Sequence, residues 1–372
     1  MSAKTIYVGV VGIGGVGNHF LSQLSRLPNA PALVLVARSS QTISSTAPSY
    51  TPINSFTWDE ISSNPSVTKS GAWTPDQIAT YLSQLPGRAV LVDNTSDVTL
   101  ANAYPLFLSK GISIVTPNKK AFSSSIDLWN QIFTSATTGN ALVYHESTVG
   151  AGLPVLSTLR DLVATGDKVT RIEGVFSGTL SFLFNNFAPV TPSSTSPPGK
   201  WSQVVAQAKE LGYTEPDPRD DLNGMDVARK LTILARIAGL QVANSDSFPI
   251  ESLIPAELES LASDSAGAAE FMTRLPEFDE RMESVKKAAE AEGKVVRYVG
   301  SVDVVAGKVK VSLEKFDKGS AIAGLKGSDN IISFYTERYG ASPLIVQGAG
   351  AGGAVTAMGV TADLIKVLQR LH

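Results

Sequence analysis

Asp226 and Lys230 stand four residues apart in "GMDVARK" (224–230), on one face of an expected helix and in the favoured order of acid before base. On an arbitrary surface helix they are an ordinary ion pair, contributing a few tenths of a kcal/mol. Just upstream, "GYTEPDP" (212–218) is a rigid turn, because each proline fixes its own φ and keeps the preceding residue out of the helical region. That turn holds Glu215 on a stiff support. The charge in "EPDPRDDLNGMDVARK" (215–230) is therefore concentrated where the backbone is least free to move.

A second set of polar residues follows expected strands. "VDNTSD" (92–97) and "TPNKK" (116–120) place Thr95, Asn118 and Lys119 outside the carboxyl ends of strands, where ligands bind in open parallel sheets. "HESTVGAGLP" (145–154) puts Glu146 at a strand end, followed by carbonyls that must turn through two glycines. Such a carboxylate can join carbonyl oxygens around a hard cation, or it can simply hydrogen-bond the loop.

"VGIGGVG" supplies Gly12, Gly14 and Gly17, a G-x-G-x-x-G between a strand and a helix. Small residues there let backbone amides and a helix N-terminus approach a pyrophosphate, so dinucleotide binding is favoured over a merely tight turn. An acidic residue expected at the end of the second strand is replaced by "ARSS" (37–40). Arg38 with two hydroxyls suits a 2′-phosphate and favours NADP over NAD, a solvated surface arginine being the alternative. "GAGAGG" (348–353) is a second loop before a helix, for a ligand or for a close strand–helix crossing.

The elements that position these residues follow from periodicity. Residues 1–150 alternate strand and helix patterns, with strands at 5–13, 32–37, 89–93, 112–115 and 141–145, so they predict an α/β, doubly wound parallel-sheet domain. Residues 151–340 form a second, α+β domain with helices at 153–164, 201–211, 221–239 and 278–292. Strands at 168–176, 295–305, 308–315 and 330–336 suit a mixed sheet, and 188–200, rich in Pro and Ser, reads as an exposed loop. Residues 341–372, a short strand, a glycine run and a helix, are expected to return to the first domain, where an isolated strand can find a sheet.

Composition excludes several classes. The chain has 372 residues, 43% hydrophobic and 17% charged, with a net charge of −3, which leaves no basic footprint for nucleic acid or anionic lipid. With no cysteine there are no disulfides, thiolate nucleophiles or cysteine-ligated metal centres. The three histidines, His19, His145 and His372, form no local ligand motif. The N-terminal apolar run is broken by glycines too soon to span a bilayer and lacks signal-peptide features, which reads as cytoplasmic. A dehydrogenase reducing a carbonyl must protonate the nascent alkoxide, and a lysine is the natural donor in this sequence.

Taken together, "VGIGGVG", "VDNTS", "TPNKKAFS", "HESTVGAGLP", "EGVFSGTLS", "LGYTEPDPRDDLNGMDVARK" and "QGAGAGGAVTA" resemble homoserine dehydrogenase of the monofunctional fungal type, in order from about residue 5 to 371. The resemblance implies a Rossmann-type domain joined to a catalytic and dimerisation domain. It implies NAD(P)H-dependent interconversion of L-aspartate 4-semialdehyde and L-homoserine, in threonine and methionine biosynthesis. Lys230 becomes the proton donor, with Gly212, Glu215 and Asp226 at the substrate and Lys119 beside substrate and nicotinamide. Dinucleotide contacts are implied for Ile13, Gly15, Thr95 and Gly352, with Val16 in the same loop. A sodium ion is implied at Glu146 and the carbonyls of Val149, Ala151 and Leu153, and a homodimer through the second sheet. Burial and Lys119 would lower the Lys230 pKa, and Asp226 would oppose that shift. Rival readings are another lysine-dependent Rossmann oxidoreductase and a redox-sensing NADPH-binding protein. Aspartate-semialdehyde dehydrogenase is disfavoured because its chemistry needs a cysteine.

Overall fold

A computed structural model describes residues 5–191 and 199–371, so most of the expected 188–200 loop, and His372, lie outside the described residues. The chain divides into two compact units, one of Met1–Pro154 with Ala351–His372 and one of Val155–Gly350.

In the first unit, β1 (Ile6–Val11), β2 (Ala32–Ala37), β3 (Gln41–Ser44), β4 (Thr68–Gly71), β5 (Arg88–Asp93), β6 (Ser113–Val115) and β7 (Val143–Tyr144) form one sheet in the order β4-β3-β2-β1-β5-β6-β7. The run from β2 to β7 is parallel, whereas β3 and β4 add an antiparallel edge. Val8, Val10, Val90 and Val92 are fully buried because helices cover both faces of a parallel sheet; each such side chain contributes roughly 1.5–3 kcal/mol. The strand order reverses between β1 and β5, which opens a crevice at their carboxyl ends.

The helix Gly353–Leu371 packs against the helix Gly15–Leu24, and its Ala357, Val360, Leu364 and Val367 share one core with Phe20, Leu21 and Leu24. Between β5 and β6 the chain forms two short helices, Val98–Asn102 and Tyr104–Ser109, with Pro105 in the first turn of the second.

The second unit contains β8 (Val169–Val175), β9 (Lys294–Asp303), β10 (Lys308–Asp317), β11 (Asp329–Thr336) and β12 (Leu344–Ala349), ordered β10-β9-β8-β11-β12. Every pairing is antiparallel, so the sheet is not the mixed one expected from sequence. The strand expected to return with residues 341–372 stays here: Leu344–Ala349 pairs with β11, which offers a free edge one turn earlier in the chain. Helices Gly178–Phe187, Met225–Ile237 and Asp279–Glu290 pack on this sheet. Among them, Met225–Ile237 seats Leu231 against Gly300 of β9, where a Cβ would lie 2.8 Å from the leucine methyls. That close approach fixes the helix that carries Asp226 and Lys230.

Candidate active site

In the first unit the glycine loop turns at Gly12, whose φ is +89°, and a Cβ there would meet Thr95 at 2.6 Å and the Asn94 backbone at 2.9 Å. Gly17 is required by proximity: its Cβ would sit 2.0 Å from the Gly12 carbonyl. The loop therefore closes against the end of β5, bringing Gly12 and Thr95 together as ligand binding at the reversal point requires. Gly14 and Gly15 are exposed with open space where a Cβ would stand, and no side chain caps the helix Gly15–Leu24. Its first amides thus face outward, while Ile13 is buried beneath and Val16 half-buried. The carboxamide of Asn94, whose backbone lies against Gly12, has both polar atoms buried without a partner, an orphaned group of the kind that a bound ligand can satisfy. These features fit a dinucleotide.

Asp93 at the end of β5 ties the neighbouring loops together. It is fully buried and accepts the Thr95 N–H at 2.7 Å through one oxygen, and the Tyr104 hydroxyl at 2.6 Å and the Asn118 amide at 3.2 Å through the other. Burial is the main cause of a pKa raised above the ordinary aspartate value, opposed by these hydrogen bonds; burial and then the Asp93 charge also raise the Tyr104 phenol well above its own. Asn118, expected to face a ligand, is instead 3% exposed and bridges Asp93, the Asp97 carbonyl and the Lys120 N–H. It fixes the backbone on either side of Lys119, which is half-buried and opens the short helix Lys120–Ser123.

Arg38, directly after β2, lies with its guanidinium carbon 4.0 Å from the centroid of the Trp58 ring. It is not a freely solvated arginine. Gly352, with φ +115°, precedes the helix Gly353–Leu371, and Gly353 passes so close to His19 that a Cβ would lie 2.8 Å from its ring.

Glu146 is 6% exposed in a 3-10 turn, Glu146–Thr148. Its N–H donates to Asp363 at 2.7 Å and its carboxylate stands 4.0 Å from the Lys366 ammonium. Gly150 and Ala151 follow with φ of +78° and +54°, so the backbone carrying Val149, Ala151 and Leu153 curls in the left-handed region. A buried carboxylate beside a tightly curled run of carbonyls is an oxygen-rich donor set that fits a hard cation. No group of three or more His, Cys, Asp and Glu side chains able to hold a metal occurs among the described residues, so the carbonyls would have to supply the remaining ligands.

In the second unit, the helix Trp201–Glu210 ends in a Schellman motif: Gly212 has φ +73° and donates to Lys209, and Tyr213 donates to Ala208. The chain then turns through Glu215, which is exposed and whose N–H donates to Asp221 at 2.8 Å. Asp221 also accepts the Thr179 hydroxyl at 2.9 Å; burial is the leading cause of its raised pKa. Arg219 is 8% exposed and staples the turn, binding both oxygens of Asp217 and the carbonyls of Leu261 and Ala262.

Gly224, left-handed at φ +76°, N-caps the next helix, and a Cβ there would lie 2.2 Å from the Tyr298 hydroxyl. The Asn223 side chain accepts the Met225 N–H at 2.8 Å. The helix so started presents Asp226 and Lys230 as an ion pair at 2.7 Å, with side chains 41% and 9% exposed. The Lys230 ammonium also donates to the Phe176 carbonyl, just past β8, at 2.5 Å. This is a buried cation pinned from two elements, not the surface pair that spacing alone permits.

A homoserine dehydrogenase family model matches residues 154–365, and a homoserine dehydrogenase NAD-binding-domain model matches residues 12–146. The chain belongs to the homoserine dehydrogenase family. It is 75% identical to homoserine dehydrogenase from Paracoccidioides brasiliensis and 72% identical to that from Emericella nidulans, with each chain covered completely. It is 48% identical to the Saccharomyces cerevisiae homoserine dehydrogenase, again over the whole of both chains. A crystal structure of a Candida auris protein of unknown function superposes with a TM-score of 0.91 at 48% identity, covering 99% of both chains. A hyperthermophilic archaeal homoserine dehydrogenase mutant in complex with NADPH superposes at 0.71 with 22% identity and 98% coverage of both, a likeness of fold. The protein is an NAD(P)-dependent oxidoreductase acting on a CH–OH group, and its reaction interconverts L-homoserine and L-aspartate 4-semialdehyde on the route to threonine and methionine. No helix among the described residues is long and apolar enough to cross a membrane.

Sequence reading missed Asp93, Tyr104, Asp221 and Trp58. Their partners lie 11 or more residues away, apart from the bond between Asp93 and Thr95 and the six-residue reach of Asp221 to Glu215. "VDNTSD" was the one signal pointing at Asp93.

Proposed function

We propose that Lys230 is the proton donor in the reduction of L-aspartate 4-semialdehyde and that NADPH is the preferred cofactor. The observation that carries the first reading is the buried Lys230 ammonium held between Asp226 and the Phe176 carbonyl. Bound reduced nicotinamide supplies a hydride to the aldehyde carbon. As the carbonyl π pair moves onto oxygen, Lys230 gives up a proton from Nζ to form the hydroxyl of homoserine, and solvent later restores it. Asp226 orients the ammonium, and Lys119 serves cofactor and substrate as a second cationic group. The Gly212–Glu215 turn, braced by Asp221 and Arg219, presents the Glu215 carboxylate to the substrate ammonium.

On the cofactor side, the Gly12–Gly17 loop, Thr95 and Gly352 take the dinucleotide, and Arg38 takes the 2′-phosphate that distinguishes NADPH. The stacked guanidinium supports this reading. Sodium at Glu146, with the carbonyls of Val149, Ala151 and Leu153, would brace the turn before the second unit begins. A homodimer through the second sheet is supported by β8, β9 and β10, where Arg171, Lys310 and Lys315 alternate with Glu173, Asp303 and Glu314 around a cleft of about 490 Å³. A surface with both signs interspersed can pair with its own copy about a two-fold axis; sedimentation analysis tests it. Consumption of NADPH with aspartate semialdehyde, compared with NADH and with other aldehydes, tests the whole reading.

A further inference from the structure

Arg38 is held without an acid. Its backbone N–H donates to the Gln41 carbonyl at 2.8 Å, which fixes the residue at the turn from β2 into β3. Its Nε is buried with no hydrogen-bond partner, and no carboxylate pairs with it among the described residues. What the guanidinium does meet is the Trp58 ring, with its carbon 4.0 Å from the ring centroid. Trp58 is itself immobilised twice. It opens the helix Trp58–Ser63, whose N-terminus the Thr57 hydroxyl caps by accepting the Glu60 N–H, and it packs against the core that contains Ile13, Leu33 and Val36.

We propose that Trp58 is a specificity-determining positioning residue, an indole plate that orders the Arg38 guanidinium for the cofactor's 2′-phosphate and so sets the preference for NADPH over NADH. The inference rests on the reading of Arg38 given above. A free arginine must surrender many rotamers when it meets a phosphate, whereas one already lying on an aromatic face has surrendered them beforehand, with its in-plane N–H groups left for a bidentate anion. That advantage is collected only by a ligand carrying the 2′-phosphate. Loss of Trp58 must therefore change the ratio of affinities, not both affinities together.

Calorimetry with 2′,5′-ADP and 5′-AMP, which differ at that phosphate, tests the proposal on wild type, Trp58→Leu, Trp58→Phe, Arg38→Ala and the Arg38→Ala/Trp58→Leu double variant. Trp58→Leu should weaken 2′,5′-ADP by about three- to tenfold and leave 5′-AMP unchanged. Trp58→Phe, which keeps an aromatic plate in the core with a weaker quadrupole, should show a smaller loss of the same selectivity. On the Arg38→Ala background, Trp58→Leu should have no further effect on the ratio. Equal losses for both probes would make Trp58 a core residue and overturn the proposal. So would a selective loss that persists without Arg38, since the indole would then be acting on the ligand itself. If Arg38→Ala alone leaves the ratio unchanged, the reading of Arg38 falls and takes this one with it. A selective Arg38→Ala beside a silent Trp58→Leu overturns this inference only.

Discussion

Replacing Lys230 by alanine separates catalysis from structure because of how its two partners are exposed. Asp226 is 41% exposed, so losing the ammonium leaves a carboxylate that water can still hydrate. The Phe176 carbonyl sits on a residue only 1% exposed and loses a charged donor, at a cost of about 1–3 kcal/mol. The fold should tolerate that, so the melting temperature should drop by only a few degrees. The rate should respond far more. A general acid contributes 10²- to 10⁴-fold, or roughly 3–5 kcal/mol of transition-state stabilisation. Stopped-flow oxidation of NADPH with saturating aspartate semialdehyde should give a kcat lowered by about that factor, while NADPH binding followed by fluorescence stays near wild type. Lys230→Arg supplies the control: a guanidinium can still donate to Phe176 and pair with Asp226, so stability should recover, but it does not release a proton and kcat should remain low. Lys230→Ala turning over within a factor of a few of wild type would refute the assignment and move the proton donor elsewhere, first to Lys119.

Other outcomes follow from the surrounding geometry. Glu146→Gln should abolish any response of thermal stability to sodium relative to potassium, whereas an unchanged response would leave Glu146 a loop residue paired with Lys366. Because burial raises the Asp93 pKa, its contribution to stability is fully present below the ordinary carboxylate value and is lost as pH rises through the raised one. The stability of wild type relative to Asp93→Asn should therefore decline from about pH 4 upward in denaturant titrations; a flat difference would contradict the burial argument. Arg219→Ala should cost roughly 1–3 kcal/mol, since it strands two carbonyls, and should raise KM for aspartate semialdehyde more than for NADPH by loosening the Glu215 turn.

The buried parallel strands were legible because β-branched runs such as "AVLVD" have few other uses, and the glycine loop was legible because its spacing serves one geometry. The antiparallel strands β3 and β4 were not: "QTIS" and "TKSG" carry no apolar run, although the sheet buries Thr42, Ile43 and Ser44 of β3. The helix Gly178–Phe187 was overlooked although Leu180, Leu183, Phe184 and Phe187 recur at helical spacing, because its Phe, Thr, Ser and Asn residues are weak helix formers. Lys230 with Asp226 could be found because their partnership is local. That Asp93, Asn118 and Tyr104 form one network, or that Trp58 lies against Arg38, depends on where the sheet brings separate loops, and no spacing encodes it.

The bond between the Glu146 amide and Asp363 joins residues 217 positions apart, and the helix that carries Asp363 completes the core of the dinucleotide-binding unit. On a ribosome, that unit is begun first and finished last. All of Val155–Gly350 must be synthesised before residues 353–371 can dock onto the helix that follows the glycine loop. The intervening unit is contiguous and can fold while the first still lacks its last helix. A chain released before that helix emerges keeps every glycine of the cofactor loop and lacks the support behind them, so cofactor retention reports on whether translation ran through residue 371.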